Sequence, residues 1–83
     1  MDQRSALIRL ADDLALHGGV THFAISMRAL GKGDFFKRLK EGGDCRTATA
    51  SRVLRWFADN WPDHDLEWPP GIPRPPRSKR EAA

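Results

Sequence analysis

The sequence predicts an all-α fold, a compact bundle of four or five short helices followed by an extended Pro-rich C-terminal tail. Three observations carry this expectation. Apolar residues recur at steps of three and four over most of the first 61 positions, glycine-rich breaks punctuate that recurrence at Gly18-Gly19, Gly31-Lys32-Gly33 and Gly42-Gly43, and no stretch alternates as a half-buried strand would.

The elements follow in order. Leu7, Leu10, Ala11 and Leu14 fall at i, i+3, i+4 and i+7, which places them on one stripe of a helix over 5–17, stopped by Gly18-Gly19. Thr21 can accept from first-turn amides and so cap a second helix over 21–30. After the Gly31-Lys32-Gly33 break, Asp34 is placed to cap a third helix over 34–41, with Phe35, Phe36 and Leu39 turned inward. Thr47 can cap a fourth, in which Ala50, Val53, Leu54, Phe57 and Trp61 recur at helical steps until Pro62 marks the limit. From Trp68 to Pro76 the proline density excludes helix and favours polyproline II. The chain therefore divides into a helical domain, 1–61, and a tail, 62–83. Trp61, Leu66, Trp68 and Ile72 are too apolar for a linker, so the tail is expected to lie back over the domain to about Ile72, with its basic end disordered.

Length and composition exclude whole classes of function. A chain of 83 residues buries little more than about 60% of its extended surface, so a deep catalytic cleft would compete with the core for apolar side chains, and no enzyme is expected. Cys45 is the single cysteine and cannot form an internal disulfide, which favours a reducing, cytoplasmic setting. No apolar run exceeds three residues and the start Met1-Asp2-Gln3-Arg4 lacks a signal-peptide pattern, so neither membrane insertion nor export is expected. His17, His22, His64 and Cys45 show no metal-ligand spacing, and Asp12 and Asp13 are adjacent and diverge on a helix, which reads as solvation and not as paired acid/base chemistry. No cofactor and no small-molecule substrate is implied.

Charge is segregated along the chain more strongly than its net +3 suggests. Residues 28–55 hold eight Lys/Arg against three Asp/Glu, whereas residues 56–69 hold four acidic residues and no basic one. A basic middle inside a folded region is the electrostatic footprint of a nucleic-acid binder, although a merely solvated basic helix surface has the same composition.

The two helices around Gly18-Gly19 form the informative unit, because a helix of about three turns, a tight glycine turn and a shorter helix make a helix-turn-helix. Ala15 supplies the small residue at the helix crossing, Gly19 the turn, and Val20 and Ile25 the apolar inner positions. The stretch Leu10 to Leu39 resembles the lambda-repressor-like (Cro/repressor type) helix-turn-helix, in Leu14-Ala15, Gly19-Val20-Thr21, Ile25-Ser26 and Gly31-Lys32-Gly33. One position departs from the family pattern, since Arg28 stands where an apolar residue is usual. Either the Arg28 stem covers the core edge, or the helix is rotated so that Met27 packs and Arg28 faces outward.

The resemblance implies a sequence-specific, double-stranded-DNA-binding transcriptional regulator of bacterial or phage type, whose helix beginning at Thr21 enters the major groove. On the matching positions, Thr21, His22, Phe23, Ser26 and Met27 would meet base edges, Arg28 in the rotated phase would read guanine, and Lys32 would touch phosphate. Lys37, Arg38 and Arg46 would hold the backbone in register. A homodimer would set two such helices about one DNA turn apart, with Trp56 and Trp68 as its surplus aromatic surface. The remaining aromatics read as core. The alternative is a small helical protein-interaction adaptor that works through Trp56, Phe57 and Trp68 without DNA. The tail's Arg74 and Arg77 read as part of a basic arm for phosphates in preference to a polyproline ligand.

Overall fold

The computed structural model describes residues 2–76 and contains, among them, four helices and no strand: α1 (Gln3–Gly18), α2 (His22–Leu30), α3 (Phe35–Lys40) and α4 (Thr47–Asn60). The all-helical expectation holds at its lower count.

Local signals explain most boundaries. The Asp2 carboxylate accepts from the Ser5 amide at 2.7 Å, so α1 starts two residues before Ser5. Gly19 ends it in the left-handed region at φ 64°, a conformation that costs any residue with a Cβ, and its neighbour Val20 donates back to the Ala15 carbonyl at 3.2 Å. Thr21 caps α2 as expected, its Oγ1 accepting from the Ala24 amide at 3.1 Å. Two expected caps do not form. Asp34 precedes α3 without capping it and pairs instead with Arg38 at 3.1 Å, and Thr47 is the first residue of α4, behind an Arg46 that makes no capping hydrogen bond.

Leu7, Leu10 and Ala11 of α1, Ile25 of α2, Phe36 and Leu39 of α3, and Val53 and Phe57 of α4 converge on one core, each contributing on the order of 1.5–3 kcal/mol where the side chain is large. Phe35, turned inward by its spacing, is only half-buried. An aromatic series runs through the core, with ring centroids 5.0 Å apart for Phe35–Phe36, 6.0 Å for Phe36–Phe57, 6.2 Å for Phe57–Trp61 and 5.2 Å for Trp61–Trp68. α2 packs against all three other helices, and α3 lies against α1 and α2 and reaches α4 through the Phe36–Phe57 ring contact.

The chain after α4 folds back over the bundle. Trp61 Nε1 donates to the Leu66 carbonyl and Trp68 Nε1 to the Ile72 carbonyl, both at 2.8 Å. Ile72 is buried beside Ala6, Leu7 and Leu54. Arg74 does not belong to a free basic arm: it hydrogen-bonds Asp63 and the Ala58 carbonyl, and its guanidinium lies 4.8 Å from the centroid of the Trp68 ring. Trp68, expected with Trp56 as a dimer surface, is half-buried and engaged within the chain. The expected disordered end and Arg77 lie outside the described residues. No helix among those residues is long and apolar enough to cross a membrane.

Candidate nucleic-acid interface

α2 and α3 meet through a buried hydroxyl. The Ser26 side chain is fully buried and its Oγ accepts from the Phe36 amide at 3.4 Å, supplying an acceptor at the start of α3 that Asp34 does not provide. Ser26 is thus a correction to the expected set of base-reading residues: it faces α3 because α2 is packed on every neighbour, and it has no surface with which to reach a base.

Thr21 and His22 each make a hydrogen bond within the chain, both at the exposed surface. The Thr21 hydroxyl caps α2, and His22 Nε2 lies 2.7 Å from Asp12 Oδ1, with its ring edge-on to Phe36. Asp12 in turn accepts from Lys40 Nζ at 2.8 Å, so one carboxylate ties α1 to α2 and α3. Partial burial disfavours the ionised Asp12, but the hydrogen bonds from Lys40 and His22 outweigh it and hold the carboxyl below its ordinary value. Asp12, read from the sequence as simple solvation, is a three-helix junction.

The outer side of α2 presents Phe23, 63% exposed, and Met27, 45% exposed. Phe23 lies across Gly33, where an added Cβ would stand 2.0 Å from the ring. Met27 is exposed, so the rotated phase in which it packs is not the one adopted, whereas Arg28 is exposed at a core edge, in line with the other alternative. Ala29 takes the buried position, and Arg28 lines a hollow with Leu14, Val20, Ile25 and Trp56.

Cationic side chains gather around α3. Lys32 is exposed in the turn before it, Lys37 and Arg38 are exposed on it, and Arg46 is exposed at the start of α4. Arg52, which the sequence reading did not single out, joins Lys32, Arg38 and Arg46 around a cleft of about 310 Å³ between α3, the 41–46 loop and α4. Its signal was available: Thr49 and Arg52 stand three apart on α4, off the Ala50–Val53–Phe57 stripe. Leu30, Phe35, Leu39 and Cys45 also line the cleft, as do the carboxylates of Asp34 and Asp44. Burial and the neighbouring Asp44 push the Cys45 thiol up, which keeps it protonated and unreactive at neutral pH. Among the described residues, Arg28, Lys32, Lys37, Arg46 and Arg52 have no carboxylate within 4.0 Å. No three His, Cys, Asp or Glu side chains among those residues are grouped to hold a metal ion.

The chain matches no protein-family model, no curated protein and no solved structure.

Proposed function

We propose that this chain is a sequence-specific duplex-DNA-binding domain of the helix-turn-helix type, acting in transcriptional control. The observation that carries the reading is the group of exposed cations on and around α3, at Lys32, Lys37, Arg38, Arg46 and Arg52. Neutralising phosphates with such a face releases counterions and gives affinity with a steep salt dependence.

Within this proposal, the burial of Ser26 in the middle of α2 argues for α3 as the element that enters the major groove. α3 is short and keeps Lys37 and Arg38 exposed on its outer side, Arg38 in an i,i+4 pair with Asp34, where they can reach guanine edges or phosphates. Phe23 and Met27 on α2 would flank it, in reach of thymine methyl groups, and Lys32 and Arg46 would hold the backbone on either side.

Selection from a random duplex pool, combined with salt titration, tests this. The wild type is expected to enrich one sequence; Lys37→Ala with Arg38→Ala should abolish the enrichment, and Arg28→Ala with Lys32→Ala should weaken binding while leaving the fold intact. Absence of any duplex binding at about 50 mM salt, where such contacts are strongest, overturns the reading.

A second reading, docking of a protein partner, is favoured by the exposure of Leu16 at 87% together with Phe23 and Met27. It no longer rests on Phe57, which is fully buried. Under it, Phe23→Ala and Met27→Ala would abolish partner binding and the basic substitutions would not.

A further inference from the structure

We infer that the cleft between α3, the 41–46 loop and α4 is a binding site for a nucleotide unit, its phosphate held by Arg46, Arg52 and Lys32 and its base or sugar laid on Phe35 and Leu30. Two features of the cleft point to this ligand. The rim carries four cations against the two carboxylates of Asp34 and Asp44, and among the described residues only Arg38 of the four is paired, with Asp34, so the local field favours an anion. The walls add apolar surface from Leu30, Phe35 and Leu39, which a bare inorganic anion would leave unused. A volume of about 310 Å³ lies at the small end of ligand pockets, the size of one nucleotide and not of a longer segment. Planar guanidinium groups at 46 and 52 suit the phosphate oxygens, to which they can donate paired hydrogen bonds. Thr49, which also lines the cleft, offers a hydroxyl to the same group.

The nucleotide could belong to a bound strand or be free in solution. The first case rests on the proposed DNA-binding function; the second does not. Backbone-amide NMR shifts of the full chain, titrated in parallel with AMP, inorganic phosphate and a 12-base-pair duplex at constant ionic strength, separate them. Saturable shifts at Leu30, Phe35 and 45–49 with AMP, weaker with phosphate, are expected. Arg46→Ala and Arg52→Ala should each weaken AMP binding about tenfold or more, the loss expected for a charge-assisted hydrogen bond. Both side chains are exposed, and unchanged thermal unfolding of the variants would show that the fold is intact. Shifts at these residues with the duplex alone assign the site to strand-borne nucleotides and support the proposal. AMP binding without duplex binding supports it too, while ending the DNA-binding reading. Duplex binding that leaves the cleft residues unshifted, with no response to AMP, overturns the cleft proposal and leaves the DNA-binding reading standing. Equal response to AMP and phosphate also overturns it, because the apolar wall would then contribute nothing.

Discussion

Arg74 grips Asp63 with both terminal guanidinium nitrogens, at 2.6 and 2.9 Å, and spends a further hydrogen bond on the Ala58 carbonyl at 2.8 Å near the end of α4. The pair is partly exposed, and the stacking of Arg74 on Trp68 adds a cation–π contact that solvent screens less than the ion pair. Together these contacts anchor the far end of the returning tail, and Ile72 fills the space between them and α1.

The first prediction concerns that anchor. Arg74→Ala should lower the unfolding free energy by about 1–2 kcal/mol, at the low end for a charge-assisted network because both side chains are partly wet. Urea titration followed by tryptophan fluorescence measures it, as a lower midpoint with an unchanged slope. Arg74→Lys keeps the charge but loses the fork and most of the stacking, so it should recover less than half of the loss. Equal stability of wild type and Arg74→Ala would mean that the Arg74 anchor adds nothing to the fold beyond the burial of Ile72.

Ser26→Ala separates a structural role from a base-reading one. Removing the hydroxyl leaves the buried Phe36 amide without its acceptor, at a cost of about 1–2 kcal/mol. Hydrogen exchange at the Phe36 amide should accelerate, and the sequence preference of any bound duplex should stay the same. A changed preference with unaltered stability would show that Ser26 reaches the DNA after all.

Several features of this molecule were readable in the sequence because they are local. The caps at Thr21 and Gly19 and the stripe of Leu7, Leu10 and Ala11 depend only on neighbours within a turn or two. Other features depend on residues that the fold brings from far away. Asp12 reads as solvated until α3 delivers Lys40 from 28 positions on, and Ser26 reads as a surface hydroxyl until the uncapped start of α3 is set against it. The cationic cleft is assembled from the turn before α3, α3 itself, a loop and α4, so no single window of sequence displays it.

Asp12 sets an acid dependence whose sign follows from its depressed carboxyl. A group held below its unfolded value stabilises the fold fully above that unfolded value, near 3.8, and loses the contribution as pH falls through its folded value. Thermal unfolding followed from pH 6 down to pH 2 should therefore show the wild type losing more stability below about pH 4 than Asp12→Asn, with the two curves converging at the acid end. Parallel curves throughout would show that the junction with Lys40 and His22 does not form in solution.

The seat of Phe23 on Gly33 gives the last prediction. A methyl group at position 33 would stand 2.0 Å from Cε2 and 2.4 Å from Cδ2 of the ring, so Gly33→Ala cannot keep Phe23 where it is. The ring is mostly exposed and has room to swing away, so the cost to stability should stay below about 1 kcal/mol, in contrast to a clash inside the core. The effect should appear instead at the surface that the proposed function uses. Ring-current shifts at the backbone of residue 33 should disappear, and duplex affinity should fall to the level of Phe23→Ala, because both changes remove the ring from its place beside Lys37. If Gly33→Ala binds duplex like the wild type while Phe23→Ala does not, the ring acts from another position, and its place over Gly33 is not the one that meets DNA.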